Sequence, residues 1–124
     1  LSNLRSFMSG IHYRLSINSE HDFHIATYLL FTSLNIGVVS AEECSAQGRA
    51  DVVVKTPTHI YVFELKYDGA AESAIKQIDE KGYLVKYETD NRQVVKIGAN
   101  FDSKSRTLNS WIIDDGNEQK SKTF

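Results

Sequence analysis

Glu64 and Lys66 interrupt the most apolar stretch of the chain, Ile60-Tyr61-Val62-Phe63-Glu64-Leu65-Lys66. A run of β-branched and aromatic residues reads as a central strand, where a charge is costly unless paired or ligated. Side chains alternate across a strand, so Ile60, Val62, Glu64 and Lys66 share one face and Tyr61, Phe63 and Leu65 the other. Upstream, Asp51-Val52-Val53-Val54-Lys55 reads as a second strand, and Thr56-Pro57-Thr58 separates the two. With a turn from Thr56 to His59, Lys55 faces Ile60, and counting back along an antiparallel register sets Val53 against Val62 and Asp51 against Glu64. Two carboxylates roughly 5 Å apart at Cβ repel each other. Protonation, Lys66 or a cation would relieve them, and a hard divalent ion suits two converging carboxylates best. The plainer alternative is an edge strand whose charges face water, and a one-residue slip would put the carboxylates on different faces.

Other residues carry weaker signals. His21 and His24 are three apart on a helix, a spacing that can hold a transition metal, but without a second pair they read as surface or cap histidines. Cys44 has no evident activating base and reads as buried and inert. Tyr83, Tyr87 and Trp111 could stack on bases or simply fill the core. Lys55, Lys76, Lys81 and Lys86 could line a phosphate path or serve as surface charge.

The elements that must position these residues are also signalled. Ser19 precedes Asp22 by three residues, Phe23, Ala26, Leu30 and Leu34 follow at helical spacing, and Asn35 and Gly37 close the segment, which predicts a helix capped at both ends. Val38 to Glu43 reads as a strand and Gln47-Gly48 as a turn. Past Asp68-Gly69, a stripe of Ala71, Ala74, Ile75, Ile78, Gly82 and Val85 predicts a second helix, with Glu72 and Lys76 as an i,i+4 pair. Arg92 to Phe101 and Thr107 to Ile113 complete the strands, around a turn at Asp102-Ser103-Lys104. The predicted order is α-β-β-β-α-β-β, an α/β fold with a mixed sheet flanked by helices, in which the strand-helix-strand step joins parallel neighbours through a right-handed crossover. Residues 1–17 read as a helical or irregular lead-in with Leu4, Met8, Ile11 and Leu15 at helical steps, 18–113 as the domain, and 114–124 as a loose polar tail.

The bulk properties narrow the classes. A chain of 124 residues with 41% apolar and 24% charged residues is of single-domain size with globular usage. No apolar run reaches the ~18 residues needed to span a bilayer, so no membrane partner is expected. A lone cysteine fits a reducing, cytoplasmic setting. A net charge of −2 is not that of a stand-alone nucleic-acid binder. The start at Leu1 without Met suggests an excerpt of a longer product.

Gly48-Arg49-Ala50-Asp51, followed after twelve residues by Glu64-Leu65-Lys66, resembles the bipartite motif of the PD-(D/E)XK nuclease superfamily. Glu20, the Gln77 of Ala74-Ile75-Lys76-Gln77-Ile78, Glu80-Lys81-Gly82-Tyr83 and Ile97-Gly98-Ala99-Asn100-Phe101 extend the match to a bacterial branch whose nuclease-like domain follows an AAA-ATPase-like domain. The resemblance spans roughly residues 10–112. The family's Pro before Asp is Ala50 here, and the branch's usual Pro near position 12 is His12; neither is a proposed ligand.

The resemblance implies a restriction-endonuclease-like core and a metal-dependent nuclease acting on nucleic acid, DNA in the first instance. Asp51, Glu64 and the Leu65 backbone carbonyl would hold Mg²⁺ or Mn²⁺, with Glu20 joining directly or through water. Lys66 would orient the nucleophile or meet developing charge, and Gln77 would lean toward the sheet. From the residues alone, Gln77 could equally be a solvated flank and Glu20 a first-turn acid favouring the helix dipole. The alternative function is a nuclease-like interaction or regulatory module of an ATPase with weak or absent cleavage. Weak DNA binding by this domain would leave substrate capture to an upstream domain or to a second copy in a homo-oligomer.

Overall fold

A computed structural model describes residues 17–45, 48–116 and 119–123. Helix α1, Glu20–Leu34, begins where Ser19 Oγ accepts the Asp22 N–H at 3.1 Å and the Asp22 carboxylate accepts the Asn18 N–H at 3.0 Å. Ser19 thus satisfies a donor that the first turn leaves free, and Asp22 ties down the residue before the cap. Asn35 ends the helix in the left-handed conformation, φ 53°, which Asn tolerates better than most residues.

Strands β1 (Val38–Ser45), β2 (Gly48–Lys55) and β3 (His59–Tyr67) then run as an antiparallel meander. Helix α2, Ala71–Glu80, and a 3₁₀ helix at Tyr83–Tyr87 cross to β4 (Gln93–Asp102), which pairs parallel with β3. Strands β5 (Thr107–Asp114) and β6 (Gln119–Thr123) complete a second meander, and the six strands lie in the sheet in chain order. The architecture is the mixed α/β sheet that the element order predicts. The β2–β3 register is also the one counted from the turn: Lys55 faces Ile60 and Val53 faces Val62.

Strand β3 is flanked by β2 and β4, which excludes the edge-strand alternative. Alternation along it separates two cores. On one face Val52, Val54, Phe63, Leu65, Val95, Ile97 and Phe101 pack with Phe23, Ala26 and Phe31 of α1. On the other, Val53, Ile60, Val62 and Ile112 pack with Ala71, Ile75 and Ile78 of α2 and with Tyr87.

Three expectations need correction. The polar tail is not loose, since its residues Gln119–Thr123 pair antiparallel with β5; backbone hydrogen bonding to an open edge needs no apolar pattern, so none was visible. The second helical stripe stops short, because Gly82 takes φ 60° and redirects the chain into the 3₁₀ helix, leaving Val85 exposed. Lys76 pairs with Glu80 at 3.7 Å, the i,i+4 partner on the side opposite to Glu72. Of the lead-in, only Ile17 falls within the described residues, and it is buried; the helical steps expected over residues 1–16 and the turn residue Gln47 lie outside them.

Gly98 stands beside Glu64 in the β3–β4 register. A Cβ there would lie 2.6 Å from the Ala71 carbonyl oxygen and 2.9 Å from the Ala74 Cβ, so the missing side chain is what lets α2 lie directly on the sheet next to Glu64. Gly98→Ala is expected to lower stability by about 1–3 kcal/mol through this clash, read as a reduced midpoint in urea unfolding. An unchanged midpoint would show that α2 is free to shift.

Candidate active site

The β2–β3 ladder runs from Lys55↔Ile60 to Val52↔Phe63. Past its end, Asp51 Oδ2 accepts the Leu65 N–H at 2.8 Å. The strand pair thus exchanges a backbone contact for a carboxylate contact where β2 reaches Asp51, and Asp51 is fixed beside Glu64. Glu64 is only 3% exposed, because α2 lies close over the neighbouring Gly98.

Each helix supplies side chains to the same place. From the first two turns of α1 come Glu20, His21 and His24; from the last turn of α2 and its C-cap come Gln77 and Lys81. Together with Asp51, Glu64 and Lys66 they line a cavity of about 310 Å³. All five residues singled out from the sequence, Glu20, Asp51, Glu64, Lys66 and Gln77, are brought together there. The Lys66 ammonium donates to Gln77 Oε1, so Gln77 is not a solvated flank. Lys81 Nζ donates to Glu64 Oε1 at 3.2 Å. His24 Nε2 lies 3.6 Å from Asp51 Oδ2 and 3.7 Å from Glu20 Oε1.

Burial, reinforced by the charge of Asp51 and partly offset by Lys81 and Lys66, pushes the Glu64 carboxyl from its ordinary 4.5 up to about 7. Taking a carboxylate out of water next to another disfavours its charged form. The two lysines at the walls offset this only in part.

The donor set fits a hard divalent cation. Asp51 and Glu64 offer carboxylate oxygens, and the Leu65 carbonyl is a further oxygen of the kind such ions take. His24 Nε2 is buried and has no hydrogen-bond partner, although it lies between two carboxylates, as expected where a polar atom awaits water or an ion. Among the described residues, no three His, Cys, Asp or Glu side chains are gathered closely enough to hold a metal by themselves. The backbone oxygen and water must therefore complete any shell.

His21, His24 and Lys81 are the residues of the cavity that sequence reasoning placed elsewhere or left undecided. For His24 the usable signal was its i,i+4 spacing from Glu20, not its i,i+3 spacing from His21. For Lys81 it was the i,i+4 spacing from Gln77. Tyr87 and Trp111 are buried in the two cores and unavailable for stacking. Lys55 lies over the Tyr87 ring, 5.6 Å from its centroid, and Lys76 sits on the outer face of α2 with Glu80. The backbone of Cys44 lies in β1 opposite Arg49. The side chains of Tyr83 and Lys86 lie outside the described residues.

Comparison with known proteins gives a family match and one curated relative of note. Residues 18–111 match the model of the PD-(D/E)XK nuclease superfamily. An uncharacterized protein in the vnfD 5′ region of Azotobacter chroococcum mcd 1 is 29% identical over 89 residues, covering 70% of this chain and 17% of that protein. The chain thus spans about a sixth of the length of that relative. No solved structure matches. No helix among the described residues is long and apolar enough to cross a membrane.

The raised Glu64 carboxyl sets a pH dependence. A group whose folded value is about 7 against an ordinary 4.5 favours the fold in acid, and that contribution is lost as pH rises through 7. Metal-free Glu64→Gln is therefore expected to exceed the parent in stability at pH 8, by on the order of 2 kcal/mol. The margin should shrink steadily toward pH 5. Thermal melts at several pH values in chelator check this, and a margin independent of pH would remove the buried, crowded carboxyl from the account.

Proposed function

Because the chain belongs to the PD-(D/E)XK nuclease superfamily, we propose that it hydrolyses phosphodiester bonds in nucleic acid, with DNA as the substrate and Mg²⁺ or Mn²⁺ as the cofactor. The observation that carries this reading is the Glu64 carboxylate, buried beside Asp51, with Lys66 two residues on along the same strand face. Asp51, Glu64 and the Leu65 carbonyl would hold the ion, and Glu20 would reach it through water or, after a side-chain movement, directly. When bound, the ion supplies a water of lowered pKa and offsets negative charge on the phosphate.

The chain's own residues do the remaining work. Asp51 is held by the Leu65 N–H, so its carboxylate is oriented before any ligand arrives and needs no rearrangement. Lys66, restrained by Gln77, keeps a cation on the face where the nucleophile attacks and meets the charge that develops there. Burial of Glu64 keeps the acids in a setting of reduced dielectric, in which these charge interactions are stronger than in water.

The much longer relative supports placing this domain in a larger protein, and the resemblance to the AAA-ATPase-linked branch is the ground for an upstream ATPase-like part and a cytoplasmic setting. A second reading, a regulatory module with the site retained and cleavage weak, is favoured by one observation: both lysines of the cavity are already partnered, Lys66 by Gln77 and Lys81 by Glu64.

Nicking of supercoiled plasmid with added Mg²⁺ separates the two readings, with calorimetry alongside. Asp51→Ala and Glu64→Ala are each expected to abolish Mg²⁺ binding and nicking, while Lys66→Ala keeps Mg²⁺ binding and loses roughly 10²-fold or more in cleavage. Unchanged Mg²⁺ binding in both acid variants would sink the assignment; binding without nicking would select the regulatory module. With a net charge of −2, duplex DNA affinity is expected near the non-specific level of ~10⁻⁴ to 10⁻⁶ M, with a shallow salt dependence. Fluorescence anisotropy over a salt series measures it, and tight binding by this chain alone would contradict it.

A further inference from the structure

Lys66 and Lys81 divide the cavity between them in an unexpected way. Lys66 is the nearer to Glu64 along the strand, yet its ammonium is held by the neutral amide oxygen of Gln77. The direct ion pair to Glu64 comes from Lys81, at the C-cap of α2, with Nζ 3.2 Å from Oε1. The two ends of this pair differ in their freedom. The Glu64 side chain is 4% exposed and sits in a central strand, whereas that of Lys81 is 31% exposed, on a four-carbon stem at a helix end. The next residue, Gly82, turns the chain away with φ 60°.

If the pair opens, the ammonium is at the cavity rim with water in reach and loses little. The carboxylate cannot follow it out and is left needing a cation. One ammonium is also half of what two ionised carboxylates require, whereas a divalent ion matches them. Among the described residues, other lysines on this side of the sheet have partners of their own: Lys96 meets Asp79 at 2.8 Å and Asp114 at 3.4 Å, Lys55 lies over the Tyr87 ring, and Lys76 faces Glu80 at 3.7 Å on the outer surface of α2.

We propose that Lys81 is the resident counter-ion of Glu64 in the metal-free protein, that a divalent cation displaces it, and that the released ammonium then contacts a phosphate oxygen of the nucleic acid. The exchange breaks no covalent bond; a monovalent partner of the ionised Glu64 carboxylate is replaced by a divalent one, and any proton on that carboxyl leaves to water. It keeps the buried acids paired while the site is empty and supplies a phosphate contact only when the site is loaded. The inference rests on the metal-dependent reading above and adds to it a competition within the site.

Lys81→Met keeps the length of the stem and removes the charge. It is expected to bind Mg²⁺ roughly three- to tenfold more tightly than the parent by calorimetry, the scale of a removed, partly exposed ion pair. Nicking should fall at least tenfold, so affinity and cleavage move in opposite directions. A merely structural clamp would leave Mg²⁺ affinity unchanged or weaker, and either result, in a variant with the parent's circular dichroism, overturns the proposal. Should Lys81→Met not fold, NMR of the lysine side-chain amines in the parent gives the answer. The Lys81 resonance should move on Mg²⁺ saturation, and one that stays fixed overturns the exchange. Mg²⁺ binding that Asp51→Ala abolishes but Lys81→Met does not tighten would refute this inference alone; absence of Mg²⁺ binding by the parent would refute it together with the metal-dependent reading.

Discussion

Two carboxylates, one of them shut off from water, are held side by side where a strand pair ends, and this arrangement demands positive charge from its surroundings. The demand explains features that otherwise look unrelated. The Leu65 N–H turns to Asp51, Lys81 reaches in from the end of α2, and His24 Nε2 is buried between Asp51 and Glu20. None of these fully answers it, since the Glu64 carboxyl still sits near neutrality. Like-charge crowding of this kind is tolerated where it serves binding or catalysis.

The sheet is arranged so that the crowding cannot relax. Glu64 has strands on both sides and α2 above it, and α2 comes that close only because Gly98 presents no Cβ. A second polar set steadies the same end of these strands, just past Lys66. The Gly69 N–H donates to Asn100 Oδ1 at 2.7 Å, and Asn100 Nδ2 donates to Asn109 Oδ1 at 2.8 Å. Asp68 meanwhile accepts from the Ser103 N–H at 2.8 Å and its hydroxyl at 2.6 Å. The loop that leads from Lys66 into α2 is thus anchored to β4 and its turn, which limits how far Gln77 and Lys81 can drift from the acids.

Much of this was legible in the sequence because strand alternation and turn length are short-range rules. Counting from Thr56 to His59 placed Asp51 near Glu64 without any knowledge of the rest of the sheet, and the Ser19 and Asn35 caps bounded α1. What stayed hidden depended on where elements meet in space. His24 looks like a surface histidine until α1 is laid over the end of β2. Lys81 looks like any helix-end lysine until Gly98 lets α2 down onto the sheet. Strand β6 forms from polar residues because an open edge asks only for backbone groups, and the stripe through Val85 was cut by one left-handed glycine that periodicity treats as neutral.

Spatial order equals chain order in this sheet, and among the described strand pairs the β3–β4 seam is the parallel one, joined through α2. The chain can therefore be divided at the crossover into two contiguous three-stranded fragments. The first contains every acid of the cavity together with Lys66, and the crossover brings Gln77 and Lys81. A fragment ending at Tyr67 would have the negative charges without Lys81, which pairs with Glu64, and without Gln77, which restrains Lys66. During synthesis the acids emerge first, and the complete set of side chains becomes available only after the chain has passed through α2.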